Sequence, residues 1–368
     1  MSLPPAKWEE ALALPTTALE PTRGRAAGLL MSMLWGARNE GLREPFVAKL
    51  APTLLSCGWT QTEDGWRLPL WRAPAPPDGS GEPVILAPDL GLNALCFDLN
   101  SDRSLVRHLH SRGFDVYVFC HRGHPDAVPP AHNPVLDFDA IVAHDVPAAI
   151  ATAKAQTGAE RVHWVGHGFG GQCLVGHLAN DGDRDLCASV LMSTPVTFPT
   201  LKTSARRAAA IASALPSTWR LPIDKIQRLL MVGSSHVDLS GRTKRIEGPM
   251  ARALLMDGGA PLALGLLQQM AEWHTTGHLV DRSNRFDYLA GMTGTKTPTL
   301  VIASPDDHRC TPSQAEPVVQ SLTHSDWWCL KDGWGHLDLL AGADAARAIY
   351  PRLTEWIEKD REACWTTR

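Results

Sequence analysis

The sequence predicts an α/β protein built on a mostly parallel, doubly covered sheet with an inserted helical cap, and three observations lead there. Apolar runs of strand length alternate with helical spacing four times between positions 83 and 193, the rhythm of a parallel sheet with helices on both faces. The rhythm stops over 195–296, which reads as helices and loops, and resumes at 298–303, P-T-L-V-I-A. Between these, 161–174 reads R-V-H-W-V-G-H-G-F-G-G-Q-C-L, a β-rich run that enters a glycine cluster and then a helical pattern lasting to Ala179. That is a strand, a very tight turn and a helix. Gly166 and Gly170 stand where a side chain would collide across the turn.

Taken in order, positions 1–21 are Pro-rich and read as a loose arm, and 23–55 carry helical spacing through Leu29, Leu30, Met33, Leu34, Leu42, Phe46 and Leu50. Positions 58–72 alternate about Glu63-Asp64-Gly65, a hairpin signal that puts Trp66, Leu68 and Leu70 on one face. A Pro/Gly linker over 73–82 leads to a buried strand at 83–87 and the turn Pro88-Asp89-Leu90-Gly91. Positions 104–112 read as helix, 114–119 as strand, and 138–156 as helix, with Pro147 implying a kink or a fresh start just after His144-Asp145. Another strand at 188–193 follows the glycine turn and its helix. The apolar stripes of the cap (Ile211, Leu215; Leu229, Leu230; Leu264, Leu267, Met270) must pack on something, and the strand ends of the sheet are the available surface. A helix at 314–322, a strand at 327–330 and a helix at 343–357 close the core. The expected organisation is therefore an N-terminal arm and helices (1–56), a first part of the core (57–194), the cap (195–296) and a second part of the core (297–368).

Composition narrows the function. A net charge of −4 with 20% charged residues offers no basic field for nucleic acid. No run approaches about 18 uninterrupted apolar residues, so no transmembrane segment is expected, and the N-terminus lacks a signal-peptide layout. Eight cysteines without C-x-x-C pairs point to free thiols and a cytoplasmic setting. His121 and His124 lack a third ligand at a telling spacing, so no metal and no other cofactor is expected.

Four segments in order resemble the α/β-hydrolase superfamily, in its lipase and esterase branch, and are similar also to polyhydroxyalkanoate-synthase-like members. They are V-I-L-A-P-D-L-G with F-D-V-Y-V-F-C-H-R-G, then H-D-V-P-A-A-I leading into V-G-H-x-x-G-G, then V-I-A-S-P-D-D-H-R-C-T-P at 301–312, and Gly335-His336-Leu337-Asp338. The glycine turn resembles that family's nucleophile elbow, G-x-S-x-G, but the serine position holds Gly168. The resemblance implies His336 as base, Asp307 as the carboxylate orienting it (Asp306 being the other candidate), and backbone N–H donors for an oxyanion at Phe169 and Leu90. It also exposes a second departure, since Pro88-Asp89 replaces the usual H-G. A carboxylate at Asp89 pointing inward would oppose a developing anion. Cys173, five positions past Gly168, is rotated away from the elbow tip and reads as a core residue, and His167 as a packing position.

Two classes of function follow. In one, a His336–Asp307 dyad without a serine nucleophile hydrolyses an apolar acyl, ester or lactone substrate by general-base catalysis, in the room that Gly168 leaves for a water. Trp219, Trp273, Leu266 and Met270 of the cap favour such an apolar ligand over a sugar. In the other, the chain is a catalytically inactive, hydrolase-like binder of a ligand or partner; the family it resembles includes non-catalytic members with glycine at the elbow, such as the N-myc-downstream-regulated-like proteins and the neuroligins. A serine-to-glycine variant of an ordinary esterase has the same sequence pattern. The oligomeric state is not readable.

Overall fold

A strand-end edge carrying four loops organises the molecule, seen in a computed structural model that describes residues 54–200 apart from position 133, 212–221, 245–246, 250, 254 and 257–359 apart from position 332. All of these belong to one unit, Leu42–Arg368. Of the helices expected over 23–55, positions 23–53 lie outside the described residues and Leu54 and Leu55 are not helical; the cap residues Ile211, Leu229 and Leu230 also lie outside.

Strands β1 (Ser56–Gln61) and β2 (Arg67–Ala73) form the expected antiparallel hairpin. Its turn is closed by Trp66 N–H donating to Thr62 Oγ1 at 2.9 Å. Trp66, Leu68 and Leu70 are all buried, as the alternation requires. The remaining strands are β3 (Pro83–Ala87), β4 (Asp115–Phe119), β5 (Val162–His167), β6 (Leu186–Met192), β7 (Thr299–Ala303) and β8 (Ser325–Cys329). They join in the order β1-β2-β4-β3-β5-β6-β7-β8. Every neighbouring pair from β4 to β8 is parallel, and β2 meets β4 antiparallel. β3 through β7 are buried at every residue because helices cover both faces.

The two-residue period of the strands splits the core in two. Ile85, Tyr117, Trp164, Leu191 and Val301 pack on one face against helices α2 (Val146–Thr157), α3 (Phe169–Ala179) and, through Ala315 and Val318, Pro312–Ser321. Their neighbours Val84, Val116, Val165, Val190 and Leu300 pack on the other against α1 (Leu105–Ser111) and the C-terminal helix Tyr350–Lys359.

The differences from expectation have local causes. Ahead of Pro147 the helix that starts at Phe138–Ala140 widens into a π-turn, Ile141–Asp145, before α2 begins. Proline has no N–H to give, and its ring crowds the carbonyl four residues back. The helix expected over 343–357 is two, Ala345–Ala348 and Tyr350–Lys359, and Pro351 stands in the first turn of the second. Within the described part of the cap a two-stranded ribbon, Arg220–Leu221 with Leu262–Ala263, appears where only helices and loops were expected. The cap helix Leu264–Thr276 buries Leu264, Leu266, Gln269 and Trp273, while Leu267 and Met270 are only partly covered. Six described cysteines are free thiols, but Cys187 in β6 is disulfide-bonded, so the expectation of free thiols fails at that position.

The π-turn places a buried charge. Asp145, wholly buried, accepts from the Arg122 guanidinium at 2.7 and 2.9 Å, and Arg122 also pairs with Asp64 at 2.7 Å. Replacing Arg122 by Met should leave Asp145 buried and unpaired and destabilise the fold by about 3–5 kcal/mol, read as a lower urea midpoint with an unchanged slope.

Candidate active site

The parallel strands β3, β5, β7 and β8 end on the same edge of the sheet, where ligands of open α/β sheets bind. Each hands one residue to a common point: Asp89 from the turn after β3, Gly168 after β5, Asp307 after β7 and His336 after β8.

At the elbow, Gly168 lies between β5 and α3 with φ +51° and ψ −114°, a left-handed conformation that glycine alone adopts without strain. A Cβ on Gly166 would come within 2.5 Å of Gly171 N, and one on Gly170 within 2.7 Å of Ala87 Cβ, so the glycine cluster is required by the close approach of α3 to β3 and β5. The expected collisions across the turn are there.

The loops after β7 and β8 bring His336 and Asp307 together. His336 Nδ1 donates to Asp307 Oδ2 at 2.8 Å, and both residues are buried. The other Asp307 oxygen accepts from the N–H groups of Arg309 and Cys310 at 2.8 and 3.0 Å. Asp306 instead accepts from Gly333 N–H. His167 is more than packing: its Nε2 donates to the His336 carbonyl at 2.9 Å, tying the histidine loop to the elbow strand.

The position that sequence reasoning left without a role is Asp89. Its side chain points inward. Oδ1 accepts from Phe169 N–H at 2.9 Å, and Oδ2 accepts from His336 Nε2 at 3.1 Å with Arg309 Nη1 at 3.6 Å. A Cβ built on Gly168 would lie 2.5 Å from Asp89 Cγ. The room expected for a water beside His336 is thus filled by a carboxylate, and the amide expected to hold an oxyanion already binds one of its oxygens. Leu90, the other expected donor, follows Asp89 in the same turn. The signal was present in two departures that complement each other: a side chain lost at Gly168 and an acidic one gained at Asp89, on adjacent strands.

Carboxylates on both ring nitrogens make His336 a double donor, the form of an imidazolium. Burial works against that charge, but Asp307 and Asp89 outweigh it and hold the imidazole up at about 9. Burial also opposes ionisation of Asp89, yet the hydrogen bond and charge of His336, aided by Arg309, keep its carboxyl well below the usual carboxylate range. Burial, reinforced by the His336 charge, pushes His167 down to about 4. At neutral pH the array is therefore carboxylate, imidazolium, carboxylate. It holds a proton on Nε2, and His336 becomes a base only after releasing it.

Other sequence candidates fall elsewhere. Cys173 is fully buried and burial pushes its thiol up, which suits packing and not attack. Burial holds both His121 and His124 down at about 3. Among the described residues no group of three His, Cys, Asp or Glu is placed to hold a metal ion. Trp273 is core, packed edge-to-face with Phe138 and donating to the Val280 carbonyl at 2.8 Å, whereas Trp219 is 38% exposed. No described helix is long and apolar enough to cross a membrane.

The raised histidine gives a signed pH dependence. Its stabilisation should be complete below the ordinary value of 6.5 and fade as pH rises through about 9. That of the depressed Asp89 should be present above 3.8 and fade below it. The stability gap between the parent and His336→Gln, measured by urea denaturation, should thus be widest between these limits and narrow toward pH 10. A gap independent of pH would mean that His336 is uncharged.

Comparison with known proteins agrees with this architecture. Residues 84–351 match the model of an alpha/beta hydrolase family. No curated protein matches the sequence at a significant level. Among solved structures, a soluble variant of monoglyceride lipase from Saccharomyces cerevisiae, in complex with a substrate analog, superposes with a TM-score of 0.59 at 16% identity, covering 86% of this chain and 99% of that one. A thermophilic esterase from Thermogutta terrifontis with malate bound gives 0.55 at 16% identity, covering 83% and 98%. The esterase of Exiguobacterium antarcticum gives 0.55 at 16%, covering 82% and 100%. With the parallel sheet in place and the family model matching residues 84–351, the chain belongs to the α/β-hydrolase family.

Proposed function

We propose that the protein is a hydrolase in which His336, oriented by Asp307, activates water toward an apolar acyl-type substrate without a serine nucleophile. The observation that supports this reading is His336, buried at the strand ends and oriented by Asp307 at 2.8 Å; on this reading Asp89 moves off Nε2 and the Phe169 N–H to admit water and substrate. A buried charged triad is costly to desolvate and is expected where it performs chemistry. The esterase and lipase names of the similar structures favour ester or monoglyceride-like substrates over sugars.

A second reading has its own observation. Asp89 already occupies both groups that an ester would use, the Phe169 N–H and the His336 Nε2, as a carboxylic acid product would. On that reading the site is closed to esters and the chain binds a ligand or partner without turning it over.

Assays with p-nitrophenyl butyrate and a medium-chain lactone separate the two. The first reading expects slow turnover by the parent that falls by about 10²–10⁴-fold in His336→Ala and also drops in Asp307→Asn. No turnover by a folded parent sinks it.

Introducing a serine at position 168 alone should not create an esterase, because the new side chain would run into Asp89. Gly168→Ser combined with Asp89→Gly should clear the Phe169 amide, place a hydroxyl beside His336 and give an acyl-enzyme burst. The left-handed backbone at position 168 would cost the variant roughly 1–3 kcal/mol of stability. A burst from Gly168→Ser alone would contradict the inward position of Asp89.

A further inference from the structure

We infer that the outer edge of β8 is a docking surface for a second copy of this chain, whose own β8 pairs with it antiparallel about a two-fold axis through Trp327. The inference is independent of the chemistry proposed for His336.

The backbone of this edge is open to pairing. β8 ends one side of the sheet, and among the described residues no strand pairs with its far edge. Thr299 N–H donates to the His324 carbonyl and Leu330 N–H to the Ala303 carbonyl. In the parallel ladder Asp326 and Trp328 therefore turn their backbone groups to β7, and Ser325, Trp327 and Cys329 turn theirs outward. Edge strands of monomers are kept from pairing by lysine, proline or a bulge. The segment S-D-W-W-C has neither residue, and its register with β7 is unbroken. Instead it carries two partly buried tryptophans, Trp327 against the core of one sheet face and Trp328 against that of the other.

Charge complementarity selects the second copy as the occupant and fixes the register. A two-fold axis perpendicular to the sheet pairs residues of the same face, so it passes through a residue of β8. Through Trp327, it sets Ser325 opposite the second copy's Cys329 and Trp327 opposite the second copy's Trp327. Every outward backbone group of both strands is then hydrogen bonded, and an aromatic pair spans the axis. The same register places Asp326 opposite the second copy's Trp328. Arg352 of the C-terminal helix lies over the Trp328 ring, 4.3 Å from its centroid, and reaches Asp326 of its own chain at 3.4 Å. Both charged side chains are about half exposed, so each Arg352 meets a second carboxylate across the junction. An axis through Asp326 sets two carboxylates face to face and leaves Cys329 unpaired. One through Trp328 brings the two Arg352 guanidinium groups together and leaves Ser325 unpaired. Antiparallel pairing joins the two sheets with their carboxyl edges pointing opposite ways, so the two sites open at opposite ends.

An interface built on one short edge is small, so the dimer should dissociate at about 1–100 μM. Sedimentation velocity of the full chain should show a monomer–dimer equilibrium in that range. Trp327→Lys removes the aromatic pair and sets like charges across the axis, and should weaken the dimer by about 10–100-fold. Disulfide trapping reads the register without relying on how that variant folds. Cys329 is a free, exposed thiol. Opposed residues of a hydrogen-bonded antiparallel pair lie about 5.5 Å apart at Cα, within reach of a disulfide. Mild oxidation of Ser325→Cys should therefore give a covalent dimer in which peptide mass spectrometry finds the new thiol joined to Cys329. Within one chain the two positions are about 13 Å apart along the strand, too far to bridge, so that link forms only between copies. A parent that stays monomeric at about 100 μM overturns the inference. So does a dimer in which Ser325→Cys gives no link to Cys329, or one joined through Cys57 of β1 at the other side of the sheet.

Discussion

The arrangement at the carboxyl edge of the sheet depends on one contact, 3.1 Å from Asp89 Oδ2 to His336 Nε2. It joins a residue of the turn after β3 to one of the loop after β8, across strands β5, β6 and β7. The contact also sets the charge of the site. With Asp307 alone, His336 would be a conventional oriented imidazole. With a second carboxylate on Nε2 it is held as a cation, and the cation in turn keeps both carboxylates ionised. Each member of the array is buried at a cost that its neighbours offset, so removing one exposes the charge of the others to a poorly solvated interior.

Backbone groups hold the array in register. Asp307 is fixed by the N–H groups of Arg309 and Cys310, Asp89 by that of Phe169, and the His336 carbonyl by His167 from the elbow strand. The helix that begins at Phe169 is seated by glycines that allow it to approach β3 and β5. From Phe169 a line of aromatic rings, Phe138 and then Trp273, runs into the cap helix, with ring centroids 5.7 and 4.9 Å apart. Gln269 of that helix also accepts from Phe138 N–H at 2.9 Å. The cap residues first read as ligand contacts are thus partly structural: Trp273 anchors the cap to the core.

Much of this was legible in the sequence, for physical reasons that differ by element. The strand Pro83–Ala87 and the helix Phe169–Ala179 are bounded by proline and glycine, which punctuate structure locally, and their limits follow from composition. His336 and Asp307 were legible because each sits in a short loop after a buried strand, in the family's chain order. The Arg220–Leu221 and Leu262–Ala263 ribbon was not, because two-residue strands have no period to detect and their pairing is tertiary. The π-turn was half legible: Pro147 announces a break, but how the chain widens depends on where Asp145 finds Arg122. Asp89 was visible as a departure. Its direction was not, because a side chain's orientation in a turn is decided by what faces it, here an imidazole 247 positions away in the sequence.

Gly168 and Asp89 also constrain the history open to this chain. An inward aspartate and a side chain at the elbow exclude one another sterically, so the two positions cannot drift independently. Adding a side chain at the elbow first meets a filled space, whereas losing the aspartate first strips His336 of a counter-charge and leaves a hole beside Gly168. Each single change is unfavourable on packing or on charge, and only the paired change avoids both.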